Sequence, residues 1–156
     1  MNIYYCIALL LFASCGTKQE KASLSVNLFE AQLAADAKGA HYAGWDTVYF
    51  AASQDSIAYV VAPEPLLTEW NIAAFKTSQT DRDDQRIVTV RLNAYAERAM
   101  GTFCSEASNL KKPLGLRIGQ RWVNFTPLLN PISDRMALRG FTATEVEQLQ
   151  RYIDER

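Results

Sequence analysis

Apolar residues along this chain fall mostly in short runs, which predict strands rather than long helices. In residues 24–29 Leu24, Val26 and Leu28 alternate with Ser25, Asn27 and Phe29, and this period of two predicts a half-buried strand. Two runs rich in β-branched and aromatic residues, 47–52 and 56–62, flank three polar residues and predict a β-hairpin. Further strands are predicted at 74–80, 86–93, 114–119, 121–126 and 135–140.

Polar and turn-forming residues separate these strands. Residues 81–85 are predicted to form a polar turn, and the turn at 119–120 joins the two strands of a second hairpin. Thr68 is expected to cap a short helical turn that runs through Ile72, and another helical turn is expected before Gly39.

Two stretches have the spacing of helices. Asn93 is a natural cap for one of them. Thr142 and Glu145 have the capping-box spacing at the start of the other. Helices are therefore predicted at 94–108 and 142–154. Their apolar faces are formed by Ala96, Ala99, Met100, Phe103 and Ala107 in the first, and by Val146, Leu149, Gln150 and Ile153 in the second.

The order of these elements predicts the fold class. Strands and helices interleave without a βαβ repeat of uniform length. This arrangement favours an α+β fold, in which two main helices pack on a largely antiparallel sheet.

Composition and charge describe an ordinary globular chain. Its 156 residues are 49% hydrophobic and 21% charged, which suits a single domain with a core of its own. The formal net charge is −1, and the lysines and arginines are scattered along the sequence. Nothing here favours nucleic acid as a partner, because no basic stripe is present.

The first residues differ from the rest of the chain. Residues 3–13 form an almost unbroken apolar run, too short for a bilayer helix of about 20 residues but suited to an export signal. Ala13 and Ser14 before Cys15 resemble the lipobox of bacterial lipoproteins, in which the cysteine is lipidated and becomes the first residue. The alternatives are a plain secretory signal and an uncleaved anchor.

These features predict three segments: a lipoprotein signal peptide at 1–14, a tether at 15–23 and a domain at 24–156. The protein is expected in the bacterial cell envelope, lipid-anchored and facing the periplasm. Gly16 follows the cysteine where an Asp would retain an enterobacterial lipoprotein in the inner membrane, so the outer membrane is favoured.

The cysteine count gives no disulfide framework. Cys6 would leave with the signal and Cys15 would carry lipid, so Cys104 would be the remaining thiol. Cys104 is predicted to be a small buried residue rather than a nucleophile. His41, the one histidine, is expected to be an ordinary loop residue.

Four segments resemble SecD in order and spacing. Residues 60–78 resemble its strand and "P-x-x-L-T-x-x-D-I" turn, with Asn71 in place of the Asp. Residues 87–103 look like its "V-x-V-x-L" strand and the helix after it, and 109–132 are similar to its lysine-led pair of strands. Residues 136–153 resemble its "I-x-G-x-F-[ST]-x-E-E-A-x-x-L" ending.

The resemblance covers roughly residues 57–153, and more weakly 24–30. It implies the fold of the head of SecD's first periplasmic domain, and a tendency to contact other polypeptides. SecD continues into membrane-spanning helices that carry proton-driven translocation, whereas this sequence ends at Arg156 with no later apolar stretch long enough to span. The motor function is therefore not expected here.

No set of residues in the sequence predicts catalysis. The carboxylates form no paired or metal-spaced set with His41 or Cys104. Residues 81–84 lack the Gly and the bidentate Glu of a calcium loop. A phosphate-binding Gly-rich loop and a nucleophile elbow are both missing from the sequence. The prediction is a protein that is not an enzyme, with no catalytic residue, metal or cofactor.

Three apolar residues are the candidates for contact with a protein partner: Trp122, Phe125 and Leu128. Aromatic side chains are favoured anchors in interfaces, although they could equally fill the core. Trp122 and Phe125 would face opposite sides of a regular strand, which would expose one of them unless a bulge changes the register.

The sequence thus favours a non-catalytic envelope lipoprotein that binds an exported polypeptide or a partner in protein translocation. The alternative is a structural or interaction lipoprotein with an envelope partner unrelated to export.

Overall fold

The computed structural model describes residues 24–52, 55–79 and 85–156. The predicted signal peptide, Cys15 and the tether lie outside the described residues, as do residues 81–84 of the polar turn predicted at 81–85. The assignments for these segments therefore remain predictions.

The described residues form nine strands and two α-helices, which confirms the predicted α+β class. All strand pairings are antiparallel. The strands are β1 Val26–Leu33, β2 Asp46–Ala52, β3 Asp55–Val61, β4 Leu67–Thr68, β5 Ile72–Gln79, β6 Arg86–Leu92, β7 Pro113–Ile118, β8 Arg121–Pro127 and β9 Arg135–Phe141; the helices are α1 Ala94–Ser105 and α2 Ala143–Asp154.

The strands are divided between two sheets, where the sequence suggested one. A six-stranded sheet has the order β2-β3-β1-β7-β8, with the short β4 also paired to β1, and a three-stranded sheet has the order β5-β6-β9. The chain passes from the first sheet to the second through a 3-10 turn at Glu69–Asn71. In that turn Asn71 Oδ1 accepts a hydrogen bond from the Thr68 backbone N–H at 2.8 Å, so the short turn predicted after Thr68 is confirmed.

Strand β1 is buried on both of its faces, rather than half-buried as predicted. Val26 and Leu28 point into the main core, while Phe29 and Ala31 belong to a smaller cluster on the other side. Successive side chains of β1 do alternate between its two faces. Both faces are buried because β1 lies inside the sheet and apolar side chains cover each side.

The main core joins both sheets and both helices. Its largest fully buried side chains are Phe141, Met100, Leu116, Leu149, Val88 and Val90. Burying such side chains is the principal stabilising contribution to a domain of this size.

Helix α1 begins as predicted and ends earlier. Asn93 Oδ1 accepts a hydrogen bond from the Ala96 backbone N–H at 2.9 Å, which satisfies one free donor of the first turn. The helix stops at Ser105 and a 3-10 turn follows at Ala107–Asn109. Cys104 is buried, 6% exposed, in agreement with its predicted packing role.

Helix α2 has the predicted capping box. Thr142 Oγ1 accepts from the Glu145 backbone N–H at 3.2 Å, and Glu145 Oε2 accepts from the Thr142 backbone N–H at 2.8 Å. Leu149 on its inner face is fully buried. The capping box therefore sets the start of α2, and the inner face of the helix covers the main core.

The final turn of α2 lies beside the loop that leads into β5. Arg156 donates to the backbone carbonyl of Trp70 at 3.2 Å and its guanidinium stacks 5.1 Å from the Trp70 ring. The Tyr152 hydroxyl is buried without a hydrogen-bond partner among the described residues. Burial raises the pKa of Tyr152 and Glu69 raises it further, against an opposing effect of Arg156.

The segment between β1 and β2 contains the helical turn predicted before Gly39. After β1 ends at Leu33, the backbone N–H groups of Asp36 and Ala37 donate to the Leu33 carbonyl at 2.9 and 3.0 Å, which closes a single turn. A 3-10 turn at Ala40–Tyr42 follows Gly39, where no second turn was predicted. Gly39 has a φ of 105°, a conformation that glycine adopts at little cost, which explains why the chain turns there.

Candidate polypeptide-binding site

A β-bulge in β8 decides where the predicted contact residues point. The ladder pairs Asn124 and Trp122 with consecutive residues of β7, so Val123 is an extra residue in β8. The extra residue reverses the alternation of side chains. Trp122 and Phe125 therefore lie on the same side of the sheet, with ring centroids 5.3 Å apart. The opposite placement expected for a regular strand does not occur.

Both rings belong to an aromatic cluster formed by Phe29, Phe50, Tyr59, Trp122 and Phe125. Tyr59 and Phe125 stack in parallel at 3.9 Å, with 3° between their planes. Phe29 lies 5.4 Å from Trp122, and Phe50 lies 5.3 Å from Phe125. The rings come from β1, β2, β3 and β8. The aromatic cluster therefore connects the β2–β3 hairpin at one edge of the six-stranded sheet to β8 at the other edge.

The aromatic cluster depends on the bare backbone of Gly115 in β7. A Cβ atom at this position would lie 2.8 Å from Phe125 Cε1 and 3.0 Å from Trp122 Cζ3. Real Cβ atoms essentially never approach another heavy atom so closely. Glycine at 115 therefore makes room for both rings to lie on the sheet.

Arg117 adds a charge to the same face of the sheet. Its guanidinium carbon lies 4.9 Å from the Phe29 ring and 5.6 Å from the Trp122 ring, which are cation–π distances. Its Nε is buried and has no hydrogen-bond partner among the described residues.

Burial shows how much of the aromatic cluster a partner could reach. Phe29 is buried, with Ala31 and Val61 beside it, whereas Trp122 and Phe125 are half-buried. The two candidate aromatics thus pack against each other and retain some exposure. Their role as contact residues remains a prediction.

Leu128, the third candidate, lies in a different environment. It is 6% exposed, belongs to the main core, and its backbone N–H donates to the Lys112 carbonyl at 2.9 Å. It also lines an open pocket of about 310 Å³. The floor of that pocket is formed by Leu28, Leu114 and Leu116.

The pocket lies between β8 and β9, and we refer to it as the β8–β9 pocket. Each of these strands is at the edge of its own sheet. Leu129 stands on the rim with 68% of its surface exposed, and Met136 is half-buried in the wall. The polar residues that line the pocket are Asn124, Thr126, Asn130, Arg135 and Arg139.

One end of the β8–β9 pocket is closed by bonds between the two edge strands. Asn124 Nδ2 donates to the Arg139 carbonyl at 2.6 Å, and Arg121 Nη2 donates to the Gly140 carbonyl at 3.3 Å. Arg121 also forms an ion pair with Glu145 of α2 at 2.8 Å. These contacts fix the relative position of the sheets at this end, so the strands separate only where the pocket opens.

This geometry can accept an extended polypeptide. A volume of about 310 Å³ is at the lower end for small-molecule sites but holds an apolar side chain. Edge strands can also offer backbone N–H and C=O groups to an added strand. An apolar floor beside two strand edges therefore suits a ligand that has an apolar side chain and an extended backbone.

A second group of ionisable side chains surrounds Glu30 of β1. Lys112 Nζ donates to Glu30 Oε1 at 2.9 Å and to Asn109 Oδ1 at 2.8 Å, which ties β1 to the loop before β7. His41 is 63% exposed and 3.9 Å from the same carboxylate. Among the described residues, no three His, Cys, Asp or Glu side chains are grouped so that they could hold a metal ion.

Comparison with known proteins gives a likeness of fold alone. No family model matches the sequence, and no curated protein matches it. A solved structure of SecDF, a membrane component that enhances protein export, aligns with a TM-score of 0.51 and 12% identity over 83% of this chain and 62% of that chain. SecDF in a super-membrane-facing form aligns with a TM-score of 0.50 and 12% identity over 83% and 19% of the two chains.

These alignments support a SecD-like fold for the described domain, in agreement with the resemblance in the sequence. The chain spans less than two thirds of the first SecDF chain that it matches. In the described part of the chain, no helix combines the length and apolar character needed to cross a bilayer.

Proposed function

We propose that this chain is a lipid-anchored envelope protein whose domain corresponds to the head of SecD's first periplasmic domain and binds extended polypeptide without catalysing a reaction. One observation carries the proposal: the β8–β9 pocket places an apolar floor between two strand edges, in a domain whose fold is like that of SecDF. The polypeptide would be an exported chain or a component of the translocation machinery.

The chemistry of the β8–β9 pocket supports a sequence-tolerant ligand. Its floor consists of leucine side chains, which favour any apolar side chain of suitable size. Its walls include backbone groups of β8 and β9, which interact with any extended chain whatever its sequence. An exported polypeptide must be recognised in this general way, because many different sequences pass through export.

The proposal can be tested by site-specific photocrosslinking in cells. A photoreactive amino acid is placed at Leu129 on the pocket rim, at Phe125 in the aromatic cluster, or at Tyr95 of α1. Leu129 and Tyr95 are almost equally exposed, at 68% and 70%, so Tyr95 is a matched control outside the pocket. We expect the Leu129 position to crosslink to chains arrested during export and the Tyr95 position not to do so.

Other results lead to different conclusions. Equal crosslinking from Leu129 and Tyr95 would contradict binding at the β8–β9 pocket. Crosslinks from Phe125 alone would move the contact to the aromatic cluster. A single stable partner unconnected with export would favour the alternative, an interaction lipoprotein with another envelope partner.

The lipid anchor is tested separately. We expect the wild-type chain to incorporate labelled lipid and to fractionate with the outer membrane, and Cys15→Ala to lose the label. The reason is that a cysteine thiol is the acceptor of the lipid in lipoprotein processing. Intact mass and membrane fractionation measure both properties; an unlabelled wild type with the same mobility as Cys15→Ala would contradict anchoring.

A further inference from the structure

The outward face of the three-stranded sheet collects positive charge that the sequence does not reveal. In the antiparallel ladder Arg91 of β6 lies directly opposite Arg135 of β9, and Lys76 of β5 lies opposite Thr89 of β6. We call these four residues the basic face. All four are exposed.

This arrangement costs stability unless an anion is present. Like charges directly opposite each other in a sheet repel. Within the described residues, Asp134 pairs with Arg135 at 3.3 Å, while Lys76 and Arg91 have no ion-pair partner. A binding role would explain why the repulsion is retained.

The basic face is also concave. A shallow depression of about 210 Å³ lies on it, with Ala74, Phe75 and Val90 beside the basic face residues. A bulge at the start of β5, between Ile72 and Ala74, bends the strand at this point. The depression therefore offers two unpaired cations, a third cation and a hydroxyl to a single anionic group.

We propose that the basic face binds the phosphate headgroups of an anionic phospholipid surface. The inference rests on the proposed lipid anchor, which would hold the domain near such a surface. Residues 16–23 between Cys15 and the described domain could extend at most about 29 Å. A tether of this length confines the domain to the neighbourhood of the bilayer and lets it touch the surface, where electrostatic contact acts over about 8–10 Å.

The position of β1 relative to β5 supports a lipid surface as the ligand of the basic face. The Val26 backbone N–H donates to Glu69 Oε2 at 3.0 Å, and Glu69 lies in the turn that leads directly into β5. The anchored end of the domain and the strand that carries Lys76 are thus held together. A tether that leaves from this end can bring the basic face to the lipid surface.

The test compares binding of the purified full chain to vesicles of phosphatidylcholine with and without phosphatidylglycerol. The ratio of the two partition coefficients is measured, because the apolar amino-terminal run can insert into either kind of vesicle. The test variant is Lys76→Gln/Arg91→Gln. Arg135 is left unchanged because it also lines the β8–β9 pocket.

The control variant is Lys38→Gln/Arg98→Gln, which removes the same charge from two exposed residues outside this sheet. Each cation near an anionic surface contributes about fivefold to binding, so the test variant should reduce the ratio by about 25-fold. The control should leave the ratio close to that of the wild type. Salt at about 1 M should abolish the preference, because screening then acts within about 3 Å.

Three outcomes would overturn the inference: no preference for phosphatidylglycerol in the wild type, equal losses in test and control variants, or binding of polyglutamate but not of anionic vesicles. The last would make the basic face a site for acidic polypeptide. Crosslinking from Leu129 and lipid labelling of Cys15 are read out independently, so failure of the proposed function is distinguishable from failure at the basic face.

Discussion

Gly115→Ala tests whether the aromatic cluster is held together by the absence of a side chain at 115. The added methyl carbon would lie 2.8 Å from Phe125 Cε1, about 0.6 Å inside the 3.4 Å at which ordinary contact begins. Phe125 cannot move away freely, because it is stacked on Tyr59 at 3.9 Å. Trp122 is similarly limited by Phe29 at 5.4 Å.

The expected loss follows from overpacking. Forcing one extra methyl group into a packed site typically costs about 1–3 kcal/mol. We therefore expect Gly115→Ala to lower the free energy of unfolding by this amount, and the melting temperature by about 3–10 °C. Urea denaturation followed by circular dichroism measures the first quantity, and a thermal scan measures the second.

Gly101→Ala is the matched control, since it makes the same chemical change without a clash. A Cβ at Gly101, in the interior of α1, would have no heavy atom within 4 Å. Replacing a glycine inside a helix by alanine should stabilise the protein by about 0.5–1 kcal/mol. The two substitutions are thus expected to have opposite signs.

A double variant identifies the clashing ring. Phe125→Leu removes the atom that Gly115→Ala would touch, so the cost of Gly115→Ala should be smaller in that background by about 0.5–3 kcal/mol. The reasoning is refuted if Gly115→Ala leaves the free energy of unfolding unchanged. It is also refuted if the losses caused by Gly115→Ala and Phe125→Leu add in the double variant, because the Phe125 ring would then not be packed on Gly115.

Two further predictions concern α2. Thr142→Ala removes the side-chain acceptor of the capping box and should cost about 1 kcal/mol in urea denaturation; an unchanged midpoint would contradict the cap. Tyr152→Phe removes a phenol whose pKa is raised by burial, so the folded state disfavours its ionised form. The wild type should therefore lose stability as the pH rises above about 10 and through the raised pKa, while Tyr152→Phe should lose less. Unfolding free energies at neutral and high pH measure this, and parallel declines in the two proteins would exclude the effect.

Local sequence patterns predicted the elements of the fold well. Asn93, Thr142 and Glu145 place helix starts because their side chains bond to backbone groups within the same turn. The two hairpins, β2–β3 and β7–β8, follow from strand runs separated by short polar or Gly-containing turns. These features depend on neighbours in the sequence and need no knowledge of the tertiary structure.

The sequence could not predict features that depend on pairing between distant strands. The bulge at Val123 is set by the register of β8 on β7, and it brings Trp122 and Phe125 to one face. The division into two sheets depends on which strands pair with β1 and β6. Leu129 was missed as a rim residue for the same reason, and its only sign in the sequence was a loop with prolines at each end.

The basic face shows the same limit for charge. The cations at Lys76, Arg91 and Arg135 are widely separated in sequence, so the chain has no basic stripe. Antiparallel pairing places two of them opposite each other and the third on the adjoining strand. A nearly neutral net charge is therefore compatible with a locally basic surface.

Strand β9 contributes residues to both proposed sites, so only some substitutions affect one site without affecting the other. Arg135 lines both the β8–β9 pocket and the depression on the basic face, whereas Met136 lines only the former and Lys76 only the latter of these two. A substitution at Arg135 would alter both surfaces, so its effect could not be assigned to either. Leu129 for polypeptide and Lys76 with Arg91 for lipid are independent probes. If the two proposed functions are coupled, a polypeptide held at the β8–β9 pocket would lie beside the lipid surface, and variants at Lys76 and Arg91 would change the yield of crosslinks from Leu129.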